Sequence, residues 1–168
     1  AINMANSSAY GLTGGLQSLD RREQKLWLEK IDVGNAYINR GITGAIVQRQ
    51  PFRGCKNSAF GRGLKAGGPN YLLQFMNIEE IAAASEKEAI PHELSTLKRS
   101  LILLDAKLLP EWESAVANYI YEYNNYFTKF HDPSAISGQD NYLRYTAFKK
   151  ITLIIKGTEK ILDIYRVI

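Results

Sequence analysis

Seven of the thirteen glycines fall between Gly41 and Gly68, in a run that also holds a Pro-Phe pair and the sole cysteine, Cys55. Glycine at that density weakens any regular helix or strand and leaves bare backbone amides. Such amides, at Gly41, Gly44, Gly67 and Gly68, could cradle an anion, a carboxylate or a phosphate. The run does not match the phosphate loop that ends in Gly-Lys-Ser/Thr, because Ala66 follows Lys65. GRGLKAG is a poor dinucleotide fingerprint, since no strand leads directly into it. On physics alone the plainer reading stands first: a surface loop whose glycines turn corners.

The flanks read as ordinary elements. Ala1 to Asn6 has the look of a last helical turn, and YGLTGGLQS (10–18) that of a glycine-interrupted strand. Asp20 precedes Glu23 by three residues, a capping-box spacing that predicts a helix through Ile31. Gly34 then sits where a left-handed residue would close it. NAYINRG (35–41) alternates like a short half-buried strand, and NYLLQFM (70–76) is a second strand candidate.

From about Ile81, in an Ala/Glu/Lys stretch, the pattern changes. Leu94, Leu97, Leu101, Leu104 and Leu108 recur at alternating three and four, which predicts a helix with one apolar seam. Pro110 is tolerated in the first turn of a following helix. There Trp112, Val116, Tyr119, Ile120, Tyr123, Phe127 and Phe130 form a second stripe, read as core. Two stripes with a short connection predict an antiparallel helical hairpin. HDPSAISGQDN (131–141) is expected to be a loop, KKITLIIKG (149–157) a strand, and Thr158 the cap of a last helix. The expected architecture is α/β up to residue 80, then a mainly helical segment over 81–168 that ends in a βα unit.

Charge narrows the partners. Residues 1–81 hold ten Lys/Arg against six Asp/Glu, and residues 82–168 eleven against eleven. The excess therefore lies in the glycine-rich half, where it suits an anionic ligand. No basic cluster is interleaved with aromatics on one element, so no nucleic-acid surface is expected. No apolar stretch approaches the roughly 20 residues of a membrane span. With no basic-then-apolar leader and a lone cysteine, a cytoplasmic location is expected.

The residue order says more than the composition. ANSSAYGLTGGLQSLD, GNAYINRGITGAIVQRQPF and SAFGRGLKAGGPNYLLQF, in that order, resemble the C-terminal part of the aldehyde dehydrogenase superfamily. Within it, the resemblance is to 1-pyrroline-5-carboxylate dehydrogenases, and especially to the bacterial bifunctional proline utilisation A type. It covers residues 1 to about 78. More faintly, GQDNYLRY (138–145) is similar to an extra C-terminal region carried by some bifunctional members.

The resemblance implies NAD-dependent oxidation of glutamate semialdehyde, or a related acidic aldehyde, to the acid. In that family a cysteine thiolate adds to the aldehyde, hydride passes to NAD, and a glutamate activates water. Both residues and nearly all of the nucleotide pocket belong to segments upstream of the part matched here. The catalytic set in this chain is therefore empty, and the isolated chain is expected to be inactive without the remainder of the dehydrogenase. What carries over is substrate holding. TGA matches the family's anchor loop, which places the substrate α-carboxylate on the amides of Gly44 and Ala45. Phe52 matches the aromatic that packs on the substrate's methylene chain. Asn39 is expected to brace a strand end. Cys55 lies where the family places no nucleophile, and His92 and His131 are far from it in sequence. The family usually reads Pro-Phe-Gly-Gly where this chain has Pro51-Phe52-Arg53-Gly54, and tends to proline at the position of Arg62. Arginine avoids the positive φ that glycine adopts, so the loop is expected to be rerouted at Arg53 or its guanidinium to pair with a carboxylate. The alternative to an enzyme segment is a non-catalytic binding or homo-oligomerisation module, with residues 70–76 as an edge strand.

Overall fold

Two strands that run parallel need a long connection between them, and the Asp20-capped segment supplies it. In the computed structural model, β2 (Thr13–Leu16) pairs in parallel with β3 (Asn35–Ile38), in register from Thr13↔Asn35 to Leu16↔Ile38. Helix α2 (Arg21–Lys30) bridges them. The structure describes residues 1–46, 49–60, 64–79, 88–148 and 150–168. The expected start of the second segment, at residue 81, and Arg62 lie outside the described residues. Two compact units emerge, Ala1–Ile78 with His131–Leu143, and Glu79–Phe130 with Arg144–Ile168.

In the first unit the carboxylate of Asp20 accepts from the amide of Arg22 at 2.8 Å, which caps α2. The expected capping box is modified. Glu23 is reached by the hydroxyl of Ser18 at 2.5 Å, and that same oxygen accepts from the amide of Asp20. Trp27 is the buried residue of α2. A Cβ on Gly14 would stand 3.3 Å from its ring, so glycine in β2 lets the ring lie close to the strand. Short helix α1 (Ile2–Asn6) precedes β1 (Tyr10–Gly11), which pairs antiparallel with β4 (Cys55–Lys56).

Two expectations for this unit are corrected. Gly34 is not left-handed: α2 ends at Lys30, Ile31 is extended, and the left-handed glycines among the described residues are Gly44, Gly67, Gly138 and Gly157. Glycine is required at 34 for another reason, since a Cβ there would collide with the carbonyl of Arg53. Residues 70–76 are not a strand. Tyr71–Phe75 form a 3-10 turn, with the amide of Leu73 donating to the carbonyl of Asn70 at 3.2 Å. A strand there would need a backbone partner, and the chain satisfies these groups locally instead.

Residues 131–141 form a loop as expected, and reciprocal 2.8 Å bonds between His131 and Leu143 close it. Asp132 organises it by accepting from the amides of Ser134, Ala135 and Asn141 and from the Ser134 hydroxyl. These donors, led by the Asn141 amide, lower its pKa from 3.8 to about 2. A depressed carboxyl stabilises the folded loop fully above its unfolded pKa, and that contribution is lost as pH falls through the folded value. The Asn141 amide is therefore expected to lose protection from exchange between about pH 4 and pH 2, and Asp132→Asn to abolish the dependence. A flat profile in wild type would remove Asp132 as the organiser.

The second unit is helical. Helix α3 (Ser95–Asp105) leads through a 3-10 turn, Ala106–Leu108, into α4 (Leu109–Glu122), with Pro110 in its first turn. Leu101, Trp112, Val116 and Leu162 form the buried cluster, and Leu94, Leu97, Leu108 and Ile120 pack against it. The last of the four comes from α5 (Ile161–Val167), where the carbonyl of Tyr165 accepts from Trp112 Nε1 at 2.9 Å. Lys98–Glu113 at 2.5 Å and Arg166–Glu111 at 2.7 Å tie the helices at the surface. Such exposed pairs are worth little beside the buried ring.

Here too the expectations need correction. Leu104 leaves the seam and is 60% exposed, while Leu108, in the 3-10 turn that follows α3, packs against the buried cluster. Of the second stripe Trp112, Val116 and Ile120 are core, whereas Tyr119 is exposed. Beyond Ile120 the residues Tyr123–Phe127 widen into a π-helical turn, and Tyr123, Phe127 and Phe130 are exposed. Tyr126 and Phe127 meet Tyr145 edge-on or tilted, while Arg144 stacks over Phe130. Of the strand expected over 149–157, Lys149 lies outside the described residues and 150–157 form none, so the expected terminal βα unit lacks its β part. Among the described residues no strand pairs with their backbone, and Ile151 and Ile154 are exposed. Thr158 does not cap α5; its N-cap is Lys160, and Glu159 instead accepts from the amides of Lys156 and Thr158. Among the described residues no helix is long and apolar enough to cross a membrane.

Candidate functional site

The residues singled out by sequence lie in the first unit, after β3. At the strand's end Asn39 adopts a left-handed conformation, φ 55°. Its side-chain oxygen accepts from the Ser18 amide at 2.9 Å and its NH2 donates to the Ser18 carbonyl at 2.9 Å. This two-point bond braces the ends of β2 and β3, the role that the sequence assigned to it.

Gly44 follows with φ 82°, the left-handed region where glycine carries no Cβ penalty. A Cβ placed on it would meet nothing within 4 Å, and both Gly44 and Ala45 are exposed. Among the described residues their amides donate to no acceptor. Two adjacent, exposed backbone donors are thus unspent, an arrangement that can take a carboxylate.

Phe52 is half-buried and pinned by its backbone. Its amide donates to the Ala66 carbonyl at 3.0 Å, and the Ala66 amide donates back at 3.1 Å. Among the described residues no hydrogen bond joins Gly44 or Ala45 to Phe52. Arg53, the departure from glycine, avoids positive φ, and its guanidinium donates to the Phe60 carbonyl at 2.5 Å. The Arg53 carbonyl accepts from Asn35 Nδ2 at 3.1 Å and from Lys65 Nζ at 3.2 Å. Lys65 also donates to the Gly34 carbonyl at 2.5 Å and to Asn35 Oδ1 at 3.2 Å. Burial pushes its pKa down. Sequence reasoning passed over this lysine, and only its place between alanine and leucine in a glycine-rich run set it apart.

Cys55 sits half-buried in β4, with its thiol 3.4 Å from the Asp32 carbonyl and 3.8 Å from Asp32 Oδ1. Burial, then the charge of Asp32, raises its pKa. A thiol held protonated is a poor nucleophile. His92 opens a 3-10 turn in the second unit, and His131 closes the 131–143 loop through its backbone.

Two clefts lie within the first unit. One of about 330 Å³ is lined by Tyr10, Leu12, Thr13 and Trp27; another of about 610 Å³ by Arg49, Gly67, Leu72 and Pro133. Neither is lined by Gly44, Ala45 or Phe52. A dinucleotide needs a glycine turn that opens a helix, so that amides and helix dipole meet the pyrophosphate. Gly67 and Gly68 lead instead into the 3-10 turn of Tyr71–Phe75. The described residues do not form that cradle. Among them, no group of three His, Cys, Asp or Glu is placed to hold a metal ion.

Residues 1–81 match the aldehyde dehydrogenase family model. Over 82 residues the chain is 45% identical to 1-pyrroline-5-carboxylate dehydrogenase of Geobacillus sp. (strain WCH70), covering 49% of this chain and 16% of that protein. The same enzyme name belongs to a Bacillus subtilis (strain 168) protein, 45% identical over 83 residues, with the same shares covered. Among solved structures, proline utilisation A from Corynebacterium freiburgense superposes with a TM-score of 0.64 at 44% identity, over 81% of this chain and 13% of that one. That likeness extends past the residues matched by the family model. The chain spans about a sixth of the length of the curated relatives it matches. Over residues 1–81 the chain is similar to the aldehyde dehydrogenase family, and among its relatives are 1-pyrroline-5-carboxylate dehydrogenases and proline utilisation A.

Proposed function

We propose that this chain is part of an NAD-dependent 1-pyrroline-5-carboxylate (glutamate semialdehyde) dehydrogenase of proline catabolism, and that it supplies the loop that anchors the substrate's α-carboxylate. The observation that carries this reading is the pair of unspent amides at Gly44 and Ala45, beside a left-handed glycine with open space around it. The two carboxylate oxygens would accept from these two N–H groups, and charge on the acceptor strengthens both bonds. Phe52 would cover the methylene chain and keep water from it. Such contacts position the aldehyde without touching its reacting carbon. The nucleophilic cysteine and the water-activating glutamate would come from the remainder of the dehydrogenase, as would most of the NAD site.

L-Glutamate, the product, carries the same α-carboxylate and serves as the probe. Titrated into the chain, it is expected to shift the Gly44 and Ala45 amide signals in NMR. The isolated chain is expected to form no NADH from NAD and glutamate semialdehyde. Shifts confined to other residues would overturn the anchor role, and NADH formation would overturn the division of labour.

A second reading is favoured by exposed apolar groups. Phe60 is fully exposed, and Leu72, Phe75 and Met76 on the 3-10 turn are also bare. In that reading the chain is a binding or homo-oligomerisation module, and its self-association in light scattering, without glutamate shifts, separates it from the first.

A further inference from the structure

We infer that Lys65 is the positioning residue for Phe52, fixing the peptide that carries the ring; the inference deepens the anchor reading above and rests on it. An ammonium has three donors, and all three of Lys65's are engaged: on the Gly34 carbonyl at 2.5 Å, on Asn35 Oδ1 at 3.2 Å and on the Arg53 carbonyl at 3.2 Å. Two of these acceptors stand at the start of β3. The third belongs to the residue after Phe52. From the other side Ala66, the residue after Lys65, exchanges both backbone bonds with Phe52. One dipeptide, Lys65-Ala66, thus grips Phe52 by its own amide and carbonyl and by the carbonyl that follows, and ties them to the strand.

The chemistry of the grip argues for position over stability. All three acceptors are neutral, and among the described residues no carboxylate stands within ion-pair distance of Lys65. A partly buried charge without a counter-ion is costly, and burial accordingly lowers its pKa. Methionine, of similar length, removes the cost of the buried charge, which offsets part of the cost of leaving its acceptors short of a donor. What methionine cannot replace is the simultaneous hold on two distant carbonyls.

The test uses the whole 168-residue chain and amide hydrogen exchange read by NMR. Lys65→Met is expected to speed exchange at Phe52 and Ala66 about tenfold, to leave the β2–β3 amides unchanged, and to weaken L-glutamate about tenfold. Lys65→Arg, which keeps charge and donors, is expected to recover part of both. Unchanged exchange at Phe52 and Ala66 overturns the inference, and so does an equal loss of protection at β2–β3, which marks general destabilisation. Should Lys65→Met fail to fold, Lys65→Gln, which drops the charge and keeps a shorter donor, decides by the same two readouts. If wild type shows no glutamate shift at all, the anchor reading fails, while the exchange data still decide whether Lys65 holds Phe52.

Discussion

Gly34→Ala is expected to destabilise the first unit by about 3 kcal/mol. Backbone conformation plays no part in this, because Gly34 is outside the left-handed region and alanine could adopt its dihedral angles. The cost is steric. The added methyl would run into the Arg53 carbonyl and stand 2.6 Å from the Gly54 Cα, both backbone atoms. Neither can withdraw cheaply, since the Arg53 carbonyl is held by Asn35 and Lys65 together. The measurement is the urea midpoint of the β2–β3 amide signals. A change within about 0.5 kcal/mol would show that the loop yields freely and is not held by those bonds.

Trp112→Ala is expected to cost the second unit about 4 kcal/mol. The ring has no exposed surface, and among the described residues the buried cluster it joins contains three others, Leu101, Val116 and Leu162. Its removal leaves a cavity among them and strips the Tyr165 carbonyl of its donor. A small helical unit has little stability in reserve, so a loss of that size is expected to leave α3, α4 and α5 largely unfolded. Trp112→Phe, which keeps most of the ring and only orphans the carbonyl, should fall well short of it. Urea unfolding followed by far-UV circular dichroism gives both values. Equal losses in the two variants would shift the weight from packing to the hydrogen bond.

Legibility divided along the range of the interactions. The strand, capped helix and strand between residues 10 and 38 were readable because Asp20, Trp27 and the alternation around Tyr37 act within a turn or two of themselves. Pro110 at the start of α4 was readable for the same reason. The misread segments, 70–76 and 150–156, both have strand-like composition, but β-propensity is realised only against a partner strand. Gly34 reads locally as a helix stop, and its actual constraint comes from a carbonyl nineteen positions away, Arg53 against Gly34. For the candidate site, glycine density offered Gly44 only as one of four possible anion cradles, and it was the motifs that singled out Gly44, Ala45 and Phe52. Lys65 was invisible because a lysine's burial depends on which carbonyls the fold brings to it.

The two units are not two consecutive lengths of chain. His131–Leu143 belongs with Ala1–Ile78, although Phe130 and Arg144 on either side of it belong with the other unit. No single cut therefore releases either unit whole. The same threading sets an order during synthesis, where domains usually complete themselves from the N-terminus as they emerge. Here the N-terminal unit must wait for its last piece until the ribosome has also delivered α3 and α4, so the nascent chain carries both units unfinished at once.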